Sequence, residues 1–206
     1  MNSPEIIAVP LVVHGIALEP LGKNHRTGMA MAARDPAIWR YLPWDASGDG
    51  FDRWFDATLA LEVARKDAIW AVRRQNDEKI IGSTRYLNIA THDLRVEIGG
   101  TWYAPEIWGG IVNPACKFML MQHGFETLGL NRIELKTDAR NERSQKAIAR
   151  LGAQREGLFR RHMVMPDGHI RDTVYFSVIR EEWPQVKAGL LARLASFGAA
   201  CETSAS

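Results

Sequence analysis

Cysteine is almost absent from this chain: Cys116 and Cys201 are the two among 206 residues. Two cysteines that far apart build neither a disulfide framework nor a four-ligand zinc site, and they fit a reducing compartment. No apolar stretch approaches the roughly 20 residues needed to span a bilayer. The N-terminus Met1-Asn-Ser-Pro-Glu carries no basic segment, and Pro10 interrupts the short apolar run from Ile6 to Val13. That combination argues against a secretory leader. A cytoplasmic protein without membrane contact is expected.

Charge of one sign is lacking too. Lys and Arg number 26 against 24 Asp and Glu, a formal net charge of +2. A dedicated nucleic-acid binder normally shows a strong basic excess, so no nucleic-acid partner is expected. His14, His25, His92, His123, His162 and His169 are scattered, without HxxxH or HExxH spacing, and no metal site is expected. No period of 20 to 50 residues recurs, which excludes a solenoid. What remains is an ordinary composition, 46% hydrophobic and 24% charged, long enough to bury one core without covalent staples.

The patterning alternates between strand-like and helix-like runs. Val12 to Leu18 reads as a first strand, followed by helical stretches over Asn24 to Ala33 and Phe51 to Arg65. Three strands are expected next, at Ala68 to Arg73, Ile80 to Ile89 and Leu94 to Tyr103, the first two joined by a turn at Asn76-Asp-Glu. Asn113 followed by Pro114 opens a helix running to Leu128, with Asn113 as N-cap and Pro114 where a missing N–H costs nothing. A strand over Asn131 to Thr137 and a helix over Asn141 to Leu151, stopped by Gly152, come after it. Gln154 to His162 and Ile170 to Val178 form a hairpin around Pro166-Asp-Gly, and Glu181 to Phe197 is helical. The last residues, Gly198 to Ser206, are small and polar and read as a frayed tail. The class is α+β: one domain with a mixed, mostly antiparallel sheet flanked by helices. Residues 1–180 make the domain and residues 181–206 a C-terminal helical extension.

The most informative segment is Val96 to Pro114, a strand, a glycine-containing turn and a helix start. Backbone N–H groups at a helix N-terminus, reached through small residues, bind anions, and Gly109 and Gly110 allow a pyrophosphate close to the main chain. The same pair can equally serve only to turn the chain. A Walker-type loop would need Gly-Lys-Ser/Thr where Val112-Asn113-Pro114 stands. A dinucleotide fingerprint would need three spaced glycines after a first strand, and this loop has an adjacent pair.

Six pieces in order, Glu97-Ile-Gly-Gly-Thr-Trp-Tyr, Trp108-Gly-Gly-Ile-Val-Asn, Leu128-Gly-Leu-Asn-Arg-Ile-Glu-Leu, Asn141-Glu-Arg-Ser, Leu151-Gly-Ala and Arg155-Glu-Gly, resemble the GCN5-related N-acetyltransferases. Within that superfamily the likeness is to the RimJ/RimL-type branch, and it runs from about residue 12 to Trp183. The resemblance implies acetyl-coenzyme A, or another acyl-coenzyme A, as co-substrate. It also implies transfer of the acyl group to a primary amine on a protein N-terminus or a small molecule, by direct attack in a ternary complex. Acetyl is the default and succinyl an option. A homodimer is in keeping with the family.

Carried over residue by residue, the pyrophosphate would lie on Trp108, Gly109, Gly110, Ile111, Val112 and Asn113, with Asn141 on the pantetheine arm. Ile111 departs from the family pattern, because a β-branched residue at the second small position is expected to crowd the diphosphate or resist the required φ. That departure supports an alternative, a non-catalytic acyl-coenzyme A-binding or interaction module on the same fold. Glu97 would be the base or water-positioner, although it would serve as well as a strand carboxylate balancing Arg95 or Arg85. Ser144 would protonate the leaving thiolate, or else only bond backbone amides in its first turn. The missing Cβ atoms near Gly99 or Gly100 would let the reacting carbonyl approach a backbone amide. Asp138 to Arg161 holds seven basic and three acidic residues; Arg143 or Lys146, or Lys117 in the preceding helix, would meet the coenzyme's 3′-phosphate. Trp39 and Trp44, from an aromatic cluster with Tyr41 and Trp54, would wall the acceptor groove, where the ordinary alternative is core packing.

Overall fold

The computed structural model describes residues 4–203, with backbone alone from 198 onward. The chain opens with a tight hairpin, β1 (Leu11–Val13) and β2 (Ile16–Pro20). A single strand was expected there. His14 and Gly15 adopt φ of +47° and +73° and join Val13 directly to Ile16. These are the left-handed values of a type I′ turn, whose twist matches its flanking strands.

Two helices follow, α1 (Arg26–Ala32) and α2 (Phe51–Val63), then the antiparallel meander β3 (Ala68–Arg74), β4 (Lys79–Ala90) and β5 (Arg95–Tyr103). The crossover helix α3 (Val112–Gln122), continued by a π turn over His123–Thr127, leads to β6 (Arg132–Asp138). The chain then runs through α4 (Glu142–Ala149), the hairpin β7 (Gln154–Val164) and β8 (Ile170–Ile179), and α5 (Trp183–Thr203). The eight strands lie in the order β1-β2-β3-β4-β5-β6-β8-β7. Every pairing is antiparallel except β5 with β6, across the α3 crossover. The expected mixed, mostly antiparallel α+β sheet is therefore what the chain builds.

Two cores sandwich the sheet. On one face α3, α4 and α5 cover Leu18, Trp70, Val72, Val96, Ile98 and Ile133 with their neighbours. On the other, α1 and α2 cover Ile69, Ala71 and Trp102. That explains the unbroken apolar run of β3: Trp70 and Val72 point one way, Ile69 and Ala71 the other, and all are fully buried. The second helical layer covers β3 to β5 and does not extend over β6 and β8.

The C-terminal helix is no appendage in its packing. Trp183 stacks on Phe125 at 5.5 Å, and Val186, Leu190 and Leu194 join the core that holds α3. The helix passes through Gly198, where a frayed tail was expected, and residues 204–206 lie outside the described residues. Leu194 is fully buried while Leu191, three residues earlier, is 42% exposed. Leu194→Ala is expected to lower stability by about 3 kcal/mol in urea unfolding. Leu191→Ala should stay within about 0.5 kcal/mol; equal effects would show that the helix does not share the core.

Candidate functional site

The site begins where two neighbouring strands part. β5 and β6 pair across only three positions, Arg95 with Arg132, Val96 with Ile133 and Glu97 with Glu134. Beyond these, β5 keeps its pairing with β4 as far as Tyr103, and β6 keeps its pairing with β8 as far as Asp138. The backbone of β5 is thus unpaired on its β6 side from Ile98 onward. A bulge drives the parting: the β4–β5 register slips between Ser83 and Arg85, and Gly100 takes φ +53°. A Cβ built on Gly100 would stand 2.6 Å from Arg85 Nε, so both conformation and space demand glycine. The gap opens into a cleft of about 270 Å³, walled by β5, β6, α4 and the loop before α3.

That loop delivers an uncapped helix end. α3 starts earlier than the sequence suggested: Ile111 is the N-cap, with helical φ −66° and ψ −24°, and Asn113 lies within the first turn without capping it. The first turn holds Pro114, which brings no N–H. Among the described residues the amides of Gly109, Ile111, Val112 and Asn113 find no backbone acceptor. Such an end carries partial positive charge and suits an anion. The left-handed φ, +82°, falls on Gly109, where a Cβ would meet nothing within 4 Å. Ile111 therefore does not take the strained conformation it was expected to resist. Its side chain packs against the α3 core, and it is absent from the cleft wall together with the buried Val112. Trp108, Gly109, Gly110 and Asn113 are on that wall.

Two buried charges lie beside the parted strands. Lys117, 5% exposed, lines the cleft and donates from Nζ to Thr101 Oγ1 at 3.0 Å, which is itself bonded to Thr84 Oγ1 at 2.8 Å. Burial pulls its amine down to about 8, against smaller opposing pulls from Cys116 and Glu97. Glu97 is 2% exposed, and its Oε2 takes a hydrogen bond from Asn88 Nδ2 at 2.8 Å and the ammonium of Lys136 at 3.0 Å. Oε1 points along Gly99: a Cβ there would lie 2.6 Å from it. Glu97 itself is not a wall residue, but Gly99 is.

From α4, Asn141 caps the helix by accepting the Ser144 amide on Oδ1 at 3.0 Å, and both residues line the cleft. Arg143 lays its guanidinium over the Trp108 ring at 3.7 Å, tying α4 to the loop before α3. Lys146 points elsewhere: it is exposed, pairs with Glu142 at 3.3 Å one turn back, and takes no part in the wall.

The aromatic residues between α1 and α2 divide. Trp39 is a core residue, with its indole N–H on the Ala33 carbonyl at 2.9 Å and its ring against Trp54 and Trp102 at 5.4 and 5.3 Å. Trp44 packs beside the Arg85 guanidinium at 5.3 Å and also stays off the wall. Tyr41 and Leu42, between them, form that stretch of wall. Lys136 and Arg171 complete it and were not singled out from the sequence. Lys136 alternates along β6 with the core residue Leu135, which is a readable signal; Arg171 is buried beside the exposed Ile170, and its neighbours in the sequence give none.

Residues 16–154 match the family described as the acetyltransferase (GNAT) domain. The chain belongs to the GCN5-related N-acetyltransferases. A crystal structure of such an enzyme from Brucella melitensis superposes with a TM-score of 0.85 at 28% identity, over 93% of this chain and 87% of that one. YdaF of Bacillus subtilis, provisionally named a ribosomal N-acetyltransferase, is 33% identical over 108 residues, 52% of this chain and 57% of its own length. The fold is shared with Mycobacterium smegmatis RimJ in complex with CoA-disulfide, at a TM-score of 0.75 and 21% identity, covering 92% and 95% of the two chains. This chain is an acetyltransferase, and the co-substrate of its family is acetyl-coenzyme A.

The residues present suit that co-substrate. Orphaned amides of an uncapped helix, glycine at the left-handed position of the loop before it, and an unpaired strand edge beside them offer donors to phosphates and to an amide-bearing arm. Among the described residues no group of three or more His, Cys, Asp or Glu is placed to hold a metal, and no helix is long and apolar enough to cross a membrane.

The buried lysine gives a test independent of catalysis. An unfolded lysine titrates near 10.4, so between pH 8 and 10 the unfolded chain binds the proton that folded Lys117 has released. Wild-type stability should therefore rise through that window. Relative to wild type, Lys117→Met should lose roughly 2–3 kcal/mol between pH 7 and pH 10 in urea unfolding. A pH-independent difference would show that Lys117 is not desolvated.

Proposed function

We propose that this acetyltransferase moves an acetyl group directly from acetyl-coenzyme A to a primary amine, with a protein N-terminus as acceptor. The observation that carries the reading is the convergence of Gly99 beside Glu97, Ser144 and the uncapped end of α3 on one cleft between parted strands. The name of YdaF supports the choice of acceptor, since it points to ribosomal protein. The acceptor amine enters over Tyr41 and Leu42, on the sheet face left open by α1 and α2.

The coenzyme supplies the activated thioester carbonyl. Gly109, Gly110 and the amides of residues 111–113 hold its diphosphate, and Asn141 steadies the arm. Glu97 accepts the amine proton at Oε1, directly or through one water along Gly99, while Asn88 and Lys136 hold Oε2 and fix the carboxylate. As the carbon–sulfur bond breaks, Ser144 Oγ on the opposite wall gives its proton to the leaving coenzyme thiolate. The bond to Asn141 is made by the Ser144 backbone amide, not by the hydroxyl. A backbone amide near Gly99 or Gly100 polarises the reacting carbonyl.

Glu97→Gln tests this at the base. It should lower kcat/KM for an N-terminal peptide amine by about 10²- to 10⁴-fold, while the Kd for acetyl-coenzyme A from calorimetry changes less than about twofold. Full activity in the variant would remove Glu97 from the chemistry. Parallel loss of coenzyme affinity would make it structural.

A further inference from the structure

Past the core-facing Leu190, α5 carries an arginine into the coenzyme cleft. The helix starts against the far end of α3, with Trp183 on Phe118 and Phe125, and runs back toward the α3 N-terminus. Ten residues along, Arg193 reaches the cleft wall beside Arg150 and Leu151 at the C-terminal end of α4. Leu190 and Leu194 anchor it on either side within the core, so the guanidinium is delivered by a packed helix rather than a loop.

The charge arrangement there lacks a partner. Arg193 Nη1 is shut off from solvent and has no hydrogen-bond partner among the described residues. Burial pushes the guanidinium down from its ordinary range, and the one charged neighbour acting on it, Arg150, pushes the same way. A buried donor left unpaired and a like charge nearby are both costly. An anion between the two guanidiniums would relieve both costs, and arginine's planar fork is suited to phosphate oxygens. No acidic side chain on the cleft wall offers one.

We propose that Arg193, with Arg150, binds a phosphate group of the coenzyme, so that the C-terminal helix is part of the co-substrate site. The proposal rests on the coenzyme reading of the cleft and extends it beyond the family match, which ends at residue 154. The phosphate is either the 3′-phosphate or the diphosphate, which share the same chemistry and are separable by experiment.

Calorimetric titration of acetyl-coenzyme A and its 3′-dephospho form into wild type, Arg193→Met and Arg193→Lys, each at 50 and 500 mM NaCl, decides it. Arg193→Met should weaken acetyl-coenzyme A about ten- to hundredfold at low salt, less at high salt, with partial recovery in Arg193→Lys. A loss that vanishes with the dephospho ligand assigns the 3′-phosphate, and one that persists assigns the diphosphate. Unchanged affinity in Arg193→Met overturns the proposal, as does an equal loss at both salt concentrations, which marks a merely structural role. Failure of wild type to bind either ligand would sink the coenzyme reading itself.

Discussion

The parting of β5 from β6 after Glu97 is the constraint on which everything else in the molecule depends. A sheet normally has no reason to leave a central strand edge unpaired, since buried backbone groups without partners are costly. Here one bulged residue commits the chain to that cost. Gly100, left-handed and lodged against the Arg85 guanidinium, bends β5 away, and β6 follows β8 instead. The rest of the site is arranged around the opening: the α3 end above it, α4 along its rim and the Lys136 and Arg171 wall beneath. An alanine at position 100 would meet both the dihedral penalty and the arginine.

Electrostatics then follows from burial. The cleft collects cations whose partners are few: Lys117 holds only a hydroxyl, Arg171 a hydroxyl and a carbonyl, and Arg193 faces Arg150. The exception is Lys136, which is paired with Glu97. Desolvated positive charges accumulate field that an anionic ligand can discharge. The net charge of +2 hides this completely, because the surface elsewhere is laced with neutralising pairs such as Arg74 with Asp77 and Arg26 with Asp52.

Most of the fold was legible because its elements carry local signals. The glycine stops, the Pro166-Asp-Gly turn and the two-faced apolar run of β3 all resolve within a few residues. The first hairpin was not, because His14-Gly15 fills the place usually held by Asn-Gly. Cleft-lining residues were legible where a motif fixed the backbone, as with Gly109, Asn141 and Ser144. They were illegible where tertiary packing decides between neighbours. Trp39 and Tyr41 stand two residues apart in a short irregular segment, and only the stacking of Trp39 on Trp54 and Trp102 turns it inward. The i,i+4 spacing of Glu142 and Lys146 foretells their pairing, but nothing in the order of residues tells that Arg143 covers Trp108.

Ile111 shows why a departure from a family pattern has to be weighed in three dimensions. A β-branched residue beside a phosphate loop reads as an obstruction only if its side chain faces the ligand and its backbone must turn left. Neither holds: the left-handed turn falls two residues earlier, on Gly109, and by residue 111 the chain is already helical. A helical residue at the N-cap directs its side chain back over the sheet, where Ile111 finds the α3 core. Ile111 thus adds apolar contact on the inner side while its amide finds no backbone acceptor among the described residues. Apolar bulk at 111 and anion affinity at the same residue are compatible because they belong to opposite sides of one backbone position.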